Sequence, residues 1–283
     1  MTTKTIDTLV EDIYNLFTSG KPTTLKEEDL SGFLKDISEA VVSSLSGDQH
    51  ENKIRMSGIG KKDRKLWYEL NTAQDKRLPL DGPTYIKFLY GHILEALLVL
   101  LTRASGHTVT DQQKELEIEG IKGHTDGCVD GVVVDFKSAS SFGFKKFVDG
   151  SITNNDPFGY IAQISAYTKA QGKDAAAFIA IDKSNGNIAV AKIHAMDMIN
   201  PNARIKKIKE VVASAVPPER CYAPVPDGKS GNLGLDSSCG YCDFRYMCWS
   251  DANGGRGLRT FAYANGPKSF VHVEKLPQVE EIT

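Results

Sequence analysis

The stretch KGHTDGCVDGVVVDFKSA, residues 122–139, constrains this chain more than any other. Asp130-Gly131 separates two runs that tend toward β-branched residues. An Asp-Gly pair in that setting predicts a two-residue hairpin, because both central positions of the favoured turn take positive φ. Counting outward pairs Val129 with Val132, Cys128 with Val133, Gly127 with Val134 and Asp126 with Asp135. Lys137 lies two residues beyond Asp135 and so projects from the same face. Two carboxylates then oppose each other, where cross-strand Cβ atoms are only ~4.5–5.5 Å apart and like charges destabilise the pair. Either Lys137 neutralises them alone on a solvated hairpin, or a divalent cation held by oxygen ligands does so and leaves the lysine for chemistry. The apolar run GVVVDF predicts a buried strand, and burying opposed charges without a partner is costly. That favours a cation, and Mg²⁺ suits a site of one or two carboxylates completed by water and phosphate oxygens.

A chain of 283 residues can build a sizeable core and one or two domains. Its 41% hydrophobic and 25% charged content is ordinary for a globular protein. The net charge of −2 gives no global signature of a nucleic-acid binder, so any DNA contact must come from a local patch. ILEALLVLL is too short to span a membrane and reads as a buried helix. MTTKTIDTLVEDIY lacks the layout of a signal peptide, so a cytoplasmic protein with no membrane partner is expected.

Apolar spacing predicts helices over 4–18 and 27–46, an N-terminal arm whose role is packing. The segment KIRMSGIGKKDRKLWYELN mixes basic and aromatic residues. Ser57 is placed to cap a helix through RKLWYEL. Arg55, Ser57, Arg64 and Lys65 together form either a solvated basic face or a phosphate-gripping segment. Residues 83–105 predict a helix apolar almost all round, hence buried, with Glu95 as its one acid. A buried glutamate needs a partner, and a metal is a good one. His92 reads as packing or surface. Residues 141–156 read as a loop, either facing substrate or disordered. Asp156-Pro157 should open the next helix, with Asp as N-cap, ending at Gly172 and carrying Gln163 and Tyr167 on one face. AAAFIAID and NIAVAKIHA predict two further strands joined through KSNGN. A helix over 200–215 carries a basic face that reads as solvated.

Four of the five cysteines, Cys221, Cys239, Cys242 and Cys248, fall within 28 residues. Thiolates at such spacing suit tetrahedral zinc or an iron–sulfur cluster, and spacing alone does not separate the two. Cys128 reads as packing. The tail predicts a hairpin about Asn265-Gly266, followed by loose residues QVEEIT.

Asp126 on one strand with Asp135-Phe136-Lys137 on the next resembles the PD-(D/E)XK nuclease superfamily. In that family a helix bearing Gly-x-x-x-Glu lies beside the hairpin, and Gly91 and Glu95 match it. Gln163 and Tyr167 match the Gln-x-x-x-Tyr of RecB-type and lambda exonuclease-like proteins. The order of these motifs is more specific than any one of them. The trailing C-x2-C-x5-C resembles the iron–sulfur nucleases, whose fourth cysteine lies far upstream. Here that upstream element lacks a cysteine and Cys221 is the replacement.

The resemblance implies an α/β fold, restriction-endonuclease-like: a central mixed β-sheet flanked by helices, with the N-terminal helical arm over 1–50, the nuclease core over 51–215, and a cysteine metal module and hairpin over 216–283. It implies a Mg²⁺-dependent (or Mn²⁺-dependent) exonuclease acting on linear DNA from its ends, in phage DNA recombination, repair or degradation within a host cytoplasm. A single-strand-binding or recombination protein is an implied partner. Glu95, Asp126 and Asp135, with the carbonyl of Phe136, would hold the metal. Lys137 would orient or help deprotonate water, and Gln163 and Tyr167 would position lysine or phosphate. Zn²⁺ or a [4Fe-4S] cluster would pin the cysteine module. The rival expectations are an inactive DNA-binding or assembly factor on a nuclease fold, and a zinc-module interaction protein.

Overall fold

The computed structural model describes residues 4–46 and 52–282. The expected boundary at 50/51, with residues 1–3 and 47–50 of the arm, lies outside the described residues. The chain forms two compact units, one of Met1–Gly60 with Leu80–Lys207 and one of Lys61–Pro79 with Ile208–Thr283.

The longer helices are α1 (Leu9–Thr18), α2 (Glu27–Ser46), α3 (Asp63–Asn71), α4 (Gly82–Ala104), α5 (Ser141–Val148), α6 (Tyr160–Ala170) and α7 (Pro201–Ala213). The first unit contains β1 (Val109–Thr110), β2 (Glu115–Ile118), β3 (Ile121–His124), β4 (Gly127–Val129), β5 (Val132–Ala139), β6 (Ala176–Asp182) and β7 (Ile188–Ile193). Five of these form a mixed sheet in the order β1-β4-β5-β6-β7, in which β5 and β6 are parallel and the other pairs antiparallel. The chain crosses from β5 to β6 through α5 and α6, as a parallel pair requires. All seven residues of β6 are buried, as expected of a strand covered on both faces. The protein is therefore α/β, with a mixed sheet flanked by helices.

Alternation along β5 sorts its side chains. Val134 and Phe136 join Ala177, Ile179 and Ile181 of β6 in a core with Leu9 and Ile13 of α1 and Leu98 and Val99 of α4. Val133, Asp135 and Lys137 therefore point to the opposite face. On that face Phe178 packs edge-on against Phe147 of α5 at 5.6 Å.

Several elements differ from expectation. α4 starts where Asp81 accepts the Thr84 N–H at 2.9 Å, but it is not buried all round. Ala96, Leu98, Val99, Leu100 and Thr102 are buried, whereas Tyr85, Ile86, Phe88 and Tyr90 are exposed. A 23-residue helix runs ~34 Å, and its buried residues lie in its C-terminal half. With a mean hydropathy of 1.5 it also meets the length and composition of a membrane crossing, which the shorter window ILEALLVLL had excluded. Residues 141–148 are helical rather than a loop, with Ser140 accepting the Gly143 N–H at 3.3 Å. The following helix begins at Tyr160, not at Pro157. Asp156 still caps it, accepting the N–H groups of Gly159 and Ile161, both at 2.8 Å. Ser57 lies in a 3₁₀ turn, Met56–Gly58, and does not cap α3.

The second unit holds an antiparallel sheet of β8 (Val225–Pro226), β9 (Leu233–Gly234), β10 (Arg259–Tyr263), β11 (Gly266–His272) and β12 (Glu281–Ile282), in the order β12-β10-β11-β9-β8. The tail turn is Ala264-Asn265, since Tyr263 pairs with Gly266. Glu281 and Ile282, expected to be loose, pair with Phe261 and Thr260. α3 packs here through Tyr68, stacked on Phe244 at 5.5 Å.

Candidate active site

Asp130 and Gly131 have φ of 50° and 85°, as the two-residue turn demands. The register follows the count: Val129 opposes Val132, Cys128 opposes Val133, and Gly127 opposes Val134. The ladder then stops short of Asp126. Gly127 has φ of 145°, and a Cβ there would lie 2.9 Å from the Thr110 carbonyl oxygen. The Asp126 carboxylate does not simply face Asp135; its Oδ2 accepts the Phe136 N–H at 2.8 Å. An acid expected edge to edge with another thus hydrogen-bonds to the backbone one residue further on.

Asp135 is 1% exposed. Its Oδ1 accepts the Gln163 side-chain N–H at 2.8 Å. Its Oδ2 faces the Lys137 ammonium as an ion pair, yet among the described residues it accepts no well-formed hydrogen bond. Lys137 Nζ also lies 4.6 Å from the centroid of the Tyr160 ring, a cation–π contact. Tyr167 is buried, and a Cβ on Gly123 of β3 would approach its hydroxyl to 3.0 Å. Gln163 therefore touches Asp135, while Tyr167 lies between α6 and β3.

Glu95 arrives from α4. Gly91, one turn earlier, lies near β5, where a Cβ would make an ordinary 3.7 Å contact with Ser138 Oγ. Glu95 Oε1 accepts the Gln113 side-chain N–H at 3.0 Å.

The electrostatics join these groups. Burial pushes the Glu95 carboxyl up to about 7, and the Asp135 charge adds to that rise. Asp126 is raised well above the carboxylate range by burial, then by the charges of Asp135 and Glu95. Burial works against the Lys137 charge, but the Asp135 and Asp126 carboxylates outweigh it and hold the ammonium above its usual range. Burial raises the Tyr167 phenol, with Asp126 and Asp135 adding to it, so this tyrosine stays neutral. Three carboxyl groups thus share one ammonium, and all three ionised together would carry more negative charge than it balances.

Whether a divalent metal fits can be judged from that excess. The hard oxygen donors, the two carboxyls driven toward their protonated forms, and the buried Asp135 Oδ2 without a hydrogen bond all suit one added cation. Among the described residues no group of three or more His, Cys, Asp or Glu side chains is drawn together as a metal shell. The Lys137 ammonium stands in the position of counter-charge instead.

The four basic-segment candidates are divided between the two units. Arg55 and Ser57 are exposed around the 3₁₀ turn of the first unit. Arg64 and Lys65 belong to α3 in the second. The Arg64 guanidinium donates to Cys248 Sγ at 3.1 Å and to the Pro218 carbonyl, which places it in the cysteine region.

Cys221, Cys239, Cys242 and Cys248 are free, partly buried thiols. Cys221 meets the backbone N–H groups of Lys65 and Arg64 in the first turn of α3, which lower its pKa against a larger rise from burial. Burial pushes Cys239 up to about 11, with Cys242 adding to it. The donor chemistry suits a thiophilic metal, but these thiols are not gathered into a shell. Cys128 is buried and donates toward Gln171 at 3.0 Å, in keeping with packing.

Three residues at or near the site went unnoticed in the sequence. Tyr160 stands three positions before Gln163, a spacing that puts both on one helix face, and this was the signal to follow. Gln113 lay in a polar run with nothing to distinguish it. His107 is buried, with Nδ1 2.6 Å from Asp130 Oδ2 and Nε2 3.0 Å from Asp12 Oδ2. It ties the hairpin turn to α1, a long-range contact with no local pattern.

No protein-family model matches the chain. No curated protein matches it either. Among solved structures it is similar to one described as SSO0001, with a TM-score of 0.45 and 15% identity over 77% of this chain and 96% of that one. It is also similar to LHK-Exo in complex with dAMP, with a TM-score of 0.37 and 16% identity over 62% of this chain and 89% of that one. A second structure of LHK-Exo, an alkaline exonuclease from Laribacter hongkongensis, gives a TM-score of 0.33 at 16% identity over the same shares. Likenesses this distant leave function to be read from the chain's own geometry.

Proposed function

We propose that this chain is a divalent-metal-dependent nuclease of the PD-(D/E)XK type that hydrolyses phosphodiester bonds in linear DNA. The observation that carries the reading is the cluster of Glu95, Asp126, Asp135 and Lys137, in which the buried Asp135 Oδ2 is faced by the Lys137 ammonium and accepts no well-formed hydrogen bond among the described residues. Glu95, Asp126, Asp135 and the Phe136 carbonyl are the groups that would hold Mg²⁺ or Mn²⁺. Such a cation supplies Lewis acidity toward the phosphate and a more acidic water.

The chain's own residues supply the rest. Lys137 is held in its charged form by two carboxylates, so it acts as a donor and a fixed positive charge for the developing oxyanion, not as a base. Gln163 fixes the Asp135 carboxylate through Oδ1, while Oδ2 faces the Lys137 ammonium. Tyr160 supports the ammonium through its ring face. Tyr167, a neutral phenol beside Asp126 and Asp135, limits solvent around them. The four thiols are the proposed ligands of a zinc ion or an iron–sulfur cluster that would brace the C-terminal segment. A recombination or single-strand-binding protein is the proposed partner.

The second reading is an inactive DNA-binding factor in which Lys137 is a permanent counter-ion. It is favoured by the close Lys137–Asp135 pair. Digestion of end-labelled linear and circular DNA, with and without Mg²⁺, separates the two. The nuclease reading expects loss of linear DNA only with the metal. Equal persistence of all four samples supports the inactive factor.

A further inference from the structure

Phe158 is 67% exposed, yet the turn that carries it is held from several sides. Asp156 accepts the N–H groups of both Gly159 and Ile161 at 2.8 Å. Gly159 has φ of 80° and lies backbone to backbone on Gly60, and a Cβ on it would come within 2.3 Å of the Gly60 carbonyl carbon. Lys146 of α5 donates to the Asn155 carbonyl and side-chain oxygens at 3.1 and 2.9 Å. The Phe158 ring stacks on Tyr160, with centroids 5.4 Å apart and planes inclined by 26°. The Tyr160 ring in turn receives the Lys137 ammonium. The Tyr160 ring thus touches both the Lys137 ammonium and the exposed Phe158 ring. One face of Phe158 meets Tyr160, and the residue remains largely open.

Packing does not account for such a residue, because its ring is not in the core and its turn is fixed without it. A rigid aromatic face beside a phosphate-handling centre has one natural complement, the π-face of a base. Stacking of that kind tolerates any base and favours one that is unpaired. We propose that Phe158 is a nucleobase-stacking residue that seats an unpaired base of single-stranded DNA beside the Lys137 centre. The proposal rests on the nuclease reading, which makes a nucleobase the complement of the exposed ring, and the stacking is tested apart from hydrolysis. Tyr160 supports the ring from behind and fixes how far the base stands from the ammonium.

The test uses the full chain, Phe158→Ala, Phe158→Trp, and a single-stranded oligonucleotide carrying 2-aminopurine or one abasic nucleotide. Binding is read in EDTA by 2-aminopurine quenching, and hydrolysis in Mg²⁺. The wild type should quench the probe. Phe158→Ala should lose the quenching and raise KM about tenfold with kcat within about twofold, and Phe158→Trp should restore both. An abasic nucleotide should cost the wild type about the same factor and Phe158→Ala nothing further. Hydrolysis with unchanged KM and quenching in Phe158→Ala overturns the stacking role and leaves the nuclease reading intact. Quenching that depends on Phe158, without any hydrolysis by the wild type, overturns the nuclease reading and leaves the stacking role standing.

Discussion

Glu95 governs how the site responds to pH. Its carboxyl sits at about 7 instead of the usual 4.5, so the folded chain binds this proton more tightly than the unfolded chain does. The stability it contributes is fully present below 4.5 and is lost as pH rises through about 7, a change on the order of 3 kcal/mol. Urea unfolding in metal-free buffer should show the wild type weakening across that window and Glu95→Gln weakening less. A cation needs the ionised carboxylate, so hydrolysis should rise with pH through the same range. A flat rate from pH 5 to 8 removes Glu95 from the metal shell. Gln163→Ala frees Asp135 Oδ1 from its one side-chain donor, and we expect about a tenfold loss in kcat without loss of fold, measured by single-turnover hydrolysis beside circular dichroism. At this scale much of the site was legible. Asp126, Asp135 and Lys137 are close in the chain and their neighbourhood follows from strand counting, while Gln163 was singled out by the resemblance to the Gln-x-x-x-Tyr motif, helix spacing placing it only on one face with Tyr167. The position of Asp126 did not follow, because the ladder ends at the Gly127–Val134 pair and the Asp126 carboxylate takes the Phe136 N–H, which no local rule contains. His107 and Gln113 were missed for the same reason, since both act on residues far away in sequence.

Two elements set where the site residues stand. The hairpin turn is anchored by His107, whose two ring nitrogens face Asp130 and Asp12. Removing the buried ring leaves a void and takes one partner from each of two carboxylates. His107→Ala should therefore lower stability by about 3 kcal/mol in urea unfolding. A loss below about 0.5 kcal/mol, the size of an ordinary surface change, contradicts the anchor. The turn before α6 depends on Gly60 and Gly159, neither of which can accept a Cβ without moving the other strand of backbone. Gly159→Ala should shift Phe158 and Tyr160 together. The helix boundaries were less legible than the strands. The strands carried an Asp-Gly turn and dense β-branched runs, whereas Asp156-Pro157 reads as a helix start although Asp156 caps from outside a turn that delays the helix to Tyr160. α4 misled for a different reason. Its sequence is apolar throughout, and nothing in that pattern says which half is covered.

Across the whole chain, the account assigns separate tasks to the two groups of candidate metal ligands. Cys242→Ser should reduce zinc or iron content, and visible absorbance of anaerobically purified protein should report a cluster if iron is the metal. A colourless, zinc-loaded protein excludes the cluster, and a metal-free protein with unchanged solubility excludes both. The carboxylate site should behave independently of the thiols. Mg²⁺ should raise the melting temperature more at pH 8 than at pH 6, because more of the Glu95 charge needs relief at the higher value. The central claim is that an acid cluster and one charged lysine cut a sugar–phosphate chain. The measurement that bears on it most directly is nucleotide release from end-labelled linear DNA in Mg²⁺ at pH 8, wild type against Lys137→Ala, with circular dichroism confirming that both are folded. The account predicts release by the wild type and at least a hundredfold slower release by the variant, in the range expected for loss of a transition-state donor. Equal release by the two proteins contradicts it.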